Sequence, residues 1–197
     1  PPDGLVDREE RNKDRVRMVL DRYGVVFREL LARETAPFRW GSLFRSLRLM
    51  ELSGEVVAGY FFEGLSGPQF ASRQALRALQ PADDGDSVYW MSAVDPASVC
   101  GLPIDALRGS YPRRLAGNHL VFFGRKCVMT SLRSGRELTI DLDPADPLLP
   151  PCLGVLRHLM TRQFSPIRSI TVEKINGQNA GSSPYVDVLK TVFEART

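Results

Sequence analysis

The apolar positions of the first eighty residues fall into a helical rhythm that then changes to a strand rhythm. Between Glu9 and Arg22, Val16, Val19 and Leu20, with Tyr23 after them, recur at i, i+3, i+4 and i+7 among charges, and Gly24 is placed to end that helix. "VVFRELLARE" predicts a short second helix with Phe27, Leu30 and Leu31 inward, which Pro37 interrupts. A third helix is expected from about Arg39 to Ser53, its inward stripe formed by Leu43, Phe44, Leu47 and Met50, with Gly54 as its stop. "EVVAGYFF" and "PQFA" flank the loop "EGLSG" as the two strands of a hairpin. Three helices and a ribbon describe a winged helix-turn-helix.

Away from the inward stripe of the third helix, Arg39, Ser42, Arg45 and Arg48 recur every third residue. This row suits a phosphate backbone. Ser46 is expected beside it, Arg28 on the preceding helix adds a further cation, and Tyr60 in the wing is the aromatic placed to stack on a base. Alternation along the wing sends at least one of Tyr60, Phe61 and Phe62 into the core.

"ASRQALRALQ" reads as a short helix after the wing, and "PADDGD" as a linker, so a winged-helix domain is expected over 9–80 and a second domain over 87–197. In the second, "SVYWMSAVDPA" reads as a buried strand entering a turn at Asp95-Pro96. "HLVFF", "KCVMTSL" and "ELTIDL" follow as closely spaced strands of an antiparallel meander. Helical spacing returns in "PLLPPCLGVLRHLMTRQF", "IRSITVEKI" alternates like a strand, Asn176-Gly177 marks a tight turn, and "PYVDVLKTVFEA" predicts a last helix. The fold class is α+β: a winged helix-turn-helix followed by a small α+β domain with a curved, partly barrel-like antiparallel sheet.

Composition narrows this only at a few points. The 197 residues, 43% hydrophobic and 25% charged, suffice for a packed core, and no apolar run reaches the roughly 20 residues a membrane helix needs. Cys100, Cys127 and Cys152 are odd in number and widely spaced, which fits unpaired thiols in a cytoplasmic protein and argues against zinc. The net charge of +3 decides nothing, but 22 of the 26 basic residues are arginine, whose planar guanidinium suits phosphate. A start at "PPDG" is what a piece of a longer chain would show.

Taken in order and spacing, "RYGVVFRELLARE", "GYFFEGLSGPQFA", "SAVDPA" and "VEKINGQNAGSSPY" resemble the C-terminal region of the Lhr (large helicase-related) family of bacterial superfamily 2 DNA helicases, over about residues 14–195. The resemblance implies a DNA-repair helicase that uses ATP and magnesium in upstream motor domains to move along single-stranded DNA and unwind duplexes, RNA–DNA hybrids included. It also implies downstream modules similar to some in DNA glycosylases. This chain has no G-x-x-x-x-G-K-S/T loop and no D-E-x-H box, so no motor residue can be carried over to it, and no cofactor is expected in it.

Three readings follow. In the first, the chain holds single-stranded or duplex DNA for the upstream helicase core. The second is an assembly module that makes a homo-oligomer through Phe38, Trp40 and the wing aromatics. The third is a base-excision module, which needs a pocket for a flipped nucleotide and a carboxylate. Asp95, Asp141, Asp143 and Glu173 lie in or beside strands, although each has a turn or surface role open to it. His119 and His158 lack ligand-spaced neighbours, and no catalytic or metal-binding residue is assigned.

Overall fold

The computed structural model describes residues 4–79 and 85–193. Residues 1–82 with 102–110 form one compact unit and residues 83–101 with 111–197 the other. Most of the linker expected at "PADDGD" lies outside the described residues; Gly85 and Asp86 are exposed.

In the first unit, α1 (Leu5–Tyr23) begins a turn earlier than its apolar spacing suggested. Gly24, at φ +72°, ends it and donates its N–H to the Leu20 carbonyl at 2.7 Å. Val25–Val26 (β1), expected to open the second helix, instead pair antiparallel with β3 (Gln69–Ser72). The second helix shrinks to one turn, α2 (Arg28–Leu31). Two adjacent β-branched residues after a helix stop gain more from a buried ladder than from a helix start. Then come α3 (Trp40–Leu52) and β2 (Val56–Gly59), and the sheet order is β1-β3-β2. A seven-residue helix α4 (Arg73–Leu79) follows β3. Val16, Val19, Leu31, Leu43, Leu47, Met50 and Phe70 are all sealed in one core. Phe44, expected among them, lies at the rim, 37% exposed against Trp40 and Phe70.

The second unit is built on a six-stranded sheet in the order β4 (Val88–Ser92), β5 (His119–Phe123), β6 (Lys126–Leu132), β7 (Glu137–Ile140), β8 (Lys174–Ile175), β9 (Gln178–Asn179). The pairings are antiparallel except that between β7 and β8, and the sheet does not close into a barrel. Helices α5 (Leu149–Cys152), α6 (Gly154–Thr161) and α7 (Val186–Val192) contribute to the core on one face with Met129, Leu138, Ile140, Leu153 and Leu156. Two strand expectations change. β4 is an edge strand with Tyr89 and Trp90 exposed, not a buried one. "IRSITVEKI" forms a ladder only at its last two residues.

The Asn176-Gly177 turn is as expected, with both residues at positive φ (+50° and +79°) joining β8 to β9. The Asn176 side chain accepts from the Ile140 N–H at 2.7 Å and donates to the Ile140 carbonyl at 3.1 Å, extending the β7 ladder with an amide.

Candidate nucleic-acid interface

The pitch of α3 separates two kinds of side chain. Leu43, Leu47 and Met50 are fully buried, while Ser42, Arg45 and Arg48, and Arg39 at the N-cap, are exposed. Arg45 is 85% exposed and meets Glu9 only at 3.6 Å, and Arg48 pairs with Glu51 one turn on. Arg39 donates from Nε to the Glu34 carbonyl at 3.2 Å. Such exposed pairs contribute about 0–1 kcal/mol and exchange readily for a phosphate. By contrast Arg17 on α1 is locked by two of its nitrogens to Glu55, at 2.6 and 3.1 Å; this contact, and after it Asp14, raises the Arg17 pKa further, and the Arg17 guanidinium holds Glu55 below the usual carboxylate range.

Ser46 does not flank this row. It is fully buried and donates to Glu9 Oε1 at 2.5 Å, because three residues beyond Leu43 the helix has turned back to α1. The Ser42 hydroxyl is already engaged, donating to the Ala36 carbonyl at 2.9 Å and closing the corner before the helix. Arg28 is exposed at the start of α2.

The wing is organised by a residue that sequence reasoning passed over. Gln69 is fully buried; its Oε1 accepts from the N–H groups of Phe61 and Phe62 at 2.9 and 2.8 Å, and its Nε2 donates to the Phe62 carbonyl at 2.8 Å. Phe62, 44% exposed, touches Phe27 edge-on, and the half-buried Phe61 ring covers Gly59, where any Cβ would lie 2.9 Å from it; none of the three aromatics enters the core as alternation suggested, because the strand ends at Gly59 before them. Tyr60 is left 84% exposed. Phe38 and Trp40, expected as assembly anchors, are partly buried and pack against the core of the first unit.

The four carboxylates of the second unit each have a local partner. Asp95 and Asp143 accept from the N–H groups of Ala97 and Ala145, both at 2.8 Å, as Asx turns. Asp141 meets Lys126 at 2.8 Å, and Glu173 accepts from Arg133 and Arg136. A cavity of about 630 Å³ lies between α6, the 168–172 segment and α7, floored by Leu156, Ile170 and Leu189 with Arg168 and Lys190 at its polar positions; none of the four carboxylates lines it. No group of three or more His, Cys, Asp or Glu side chains among the described residues could hold a metal, and no described helix is long and apolar enough to cross a membrane. Burial pushes the Cys152 thiol up to about 11, which keeps it protonated and unreactive.

His119 and Ser131 face each other across β5 and β6, both buried, and neither His119 Nδ1 nor Ser131 Oγ has a hydrogen-bond partner among the described residues. Ser92 is the β4 partner of His119, and from α6 and the residue after it His158 and Arg162 add positive charge. Burial first, then these two charges, lowers the His119 pKa below the ordinary value of 6.5, against a weaker pull from the Gly117 carbonyl. The unfolded chain therefore binds more protons below pH 6.5, so stability is full above that value and falls as the pH drops toward the folded pKa. Urea midpoints at pH 7.5, 6.5 and 5.5 should decline on the acid side in the wild type and less in His119→Gln. Equal acid slopes in both would refute the assignment.

The order helix, strand, helix, helix and two-stranded wing makes the first unit a winged-helix domain. Residues 5–91 match the model of the large helicase-related protein winged-helix domain. The chain is 30% identical over 181 residues to the "Lhr helicase/uracil glycosylase" of Escherichia coli (strain K12), a match spanning 87% of this chain and 12% of that protein. It is 29% identical over 188 residues to the "Lhr helicase/ probable uracil glycosylase" of Mycolicibacterium smegmatis, covering 90% and 12%. It belongs to the C-terminal region of the Lhr-type helicases, and spans about an eighth of the length of these curated relatives.

Proposed function

We propose that this chain binds nucleic acid on the outward side of α3 and holds it for the motor of an Lhr-type ATP-dependent helicase. The observation that carries the reading is the separation along one helix: Arg39, Arg45 and Arg48 exposed, Leu43, Leu47 and Met50 buried. Tyr60, the most exposed of the three wing aromatics, supplies a stacking surface, and Arg28 a further cation. ATP, magnesium and hydrolysis belong to motor domains elsewhere in the parent protein. The test is fluorescence anisotropy of a labelled duplex and the matching single strand between 50 and 200 mM salt. Three phosphates neutralised on duplex DNA give a log–log slope of about −2.7, and about −2.1 on single strands. Absence of binding to either at 50 mM salt would reject the reading.

A base-excision role is the second reading, favoured by the words uracil glycosylase in the names of both relatives. Its difficulty is chemical. A carboxylate that stabilises a sugar cation has to face the base pocket, and Asp95, Asp141, Asp143 and Glu173 are each engaged locally, and none lines the cavity between α6 and α7. Incubation with uracil-containing duplex followed by alkaline cleavage tests it directly; strand breaks abolished by one of the four carboxylate-to-amide changes would establish the role.

A further inference from the structure

From Pro147 to Val172 the chain carries no carboxylate, and within that stretch lie Arg157, Arg162 and Arg168. In the first unit, by contrast, Arg17, Arg22, Arg45 and Arg48 each have a carboxylate within 4 Å. At the centre of the carboxylate-free stretch is Phe164, 87% exposed, the most exposed large hydrophobic side chain among the described residues.

A single exposed apolar residue is ordinary on a flexible loop. This loop is tied down at both ends. The Arg162 N–H donates to the His158 carbonyl at 2.9 Å, and the Ile167 N–H to the Leu159 carbonyl at 3.0 Å, so the last turn of α6 is capped by the loop itself. Arg162 Nε donates to the Ser165 carbonyl at 3.0 Å, leaving its terminal nitrogens without a hydrogen bond among the described residues, and Ser165 sits at φ +51° before a proline that fixes the next turn. The backbone entropy is thus already spent, yet Gln163, Phe164, Ser165 and Pro166 are all exposed.

We propose that the Arg162–Arg168 loop is a stacking site for an unpaired nucleobase, with Phe164 as the platform and Arg162 and Arg168 taking the adjoining phosphates. The proposal rests on the reading that this chain holds nucleic acid, and adds a second contact on the other unit. One ring offers area for one planar partner, far below the ~800 Å² per side of a stable protein interface, and a membrane would need several neighbouring apolar side chains. Arginines without intervening carboxylates match a polyanion, and base stacking on an aromatic ring is indifferent to sequence.

The test uses the full chain, a labelled 20-nucleotide single strand of mixed sequence, and a strand of equal length whose central nucleotides are abasic, so that the phosphates remain and the bases are removed. Phe164→Ala should bind the intact strand about tenfold more weakly and the abasic strand as wild type does, while Phe164→Trp keeps the intact-strand affinity. Arg168→Ala should weaken both strands alike and reduce the salt slope by about 0.7. Wild-type affinity in Phe164→Ala, or an equal loss on both strands, overturns the stacking site alone. If the wild type binds neither strand, the stacking site fails together with the nucleic-acid reading.

Discussion

Replacing Arg39, Arg45 and Arg48 together by alanine is expected to weaken duplex binding on the order of thirtyfold at 50 mM salt and to make the log–log salt slope shallower by about 2.7. The magnitude follows from counterion release, since each neutralised phosphate sets free about 0.9 of a condensed cation, and three such contacts account for roughly a fortyfold change across a fourfold range of salt. Folding should hardly notice. Arg45 is 85% exposed with Glu9 at 3.6 Å, Arg48 reaches only Glu51 on its own helix, and Arg39 loses one long hydrogen bond to a carbonyl. Arg17→Ala provides the contrast: it breaks a two-pronged contact that joins α1 to Glu55, so stability falls while the α3 face is untouched. A triple variant that binds as the wild type does, with an unchanged slope, would remove α3 from the interface. Binding then would have to come from elsewhere in the chain.

The winged helix was legible because its evidence is local. The Val16, Val19, Leu20, Tyr23 spacing, the Pro37 break and the glycine stops are short-range signals, and α1, α3 and the ribbon appear where those signals lie. What the sequence concealed depends on partners distant along the chain. Val25 and Val26 form a strand only because Phe70 and Ala71 come to lie opposite. Trp90 and Tyr89 carry strand chemistry, but whether a strand is central or at an edge is decided by which neighbours pair with it. Ile170 and Val172 alternate as strand residues do, yet they pack against the core with no ladder beside them.

The candidate site divides in the same way. The exposure of Arg39, Arg45 and Arg48 follows from the helical pitch alone, whereas Ser46 faces inward because α1 supplies Glu9, 37 residues earlier, to receive its hydroxyl. The clamp made by Gln69 was invisible because a glutamine in a strand carries no pattern of its own. The Phe164 loop did leave a signal, the missing carboxylates between Asp146 and Glu173, which a search for positive motifs passes over. Counting absent charge would have found it.

Phe70→Ala is expected to cost about 3–5 kcal/mol, the range for a fully buried aromatic ring cut back to a methyl group. Phe70 has no exposed surface; it stands opposite Val26 on one side and Ala58 on the other, and its ring lies 5.9 Å from Trp40 and 6.3 Å from Phe44. The one side chain thus joins both strand pairings to the N-terminal half of α3. A loss of that size is a large part of the 5–15 kcal/mol that typically holds a domain together. The chain carries two tryptophans, one in each unit, so emission from Trp40 reports on the site of the damage while Trp90 reports on the other unit. Urea titration of wild type against Phe70→Ala, with Trp90 replaced by phenylalanine in both, should show the midpoint falling at nearly constant slope. Phe70→Leu, which keeps most of the volume, should lose much less. Duplex affinity should follow the folded fraction, because the arginines of α3 face outward only while its other side is packed. An unshifted midpoint would mean that the ring is not what holds α3 to the ribbon, and with that the outward presentation of the arginines would lose its structural cause.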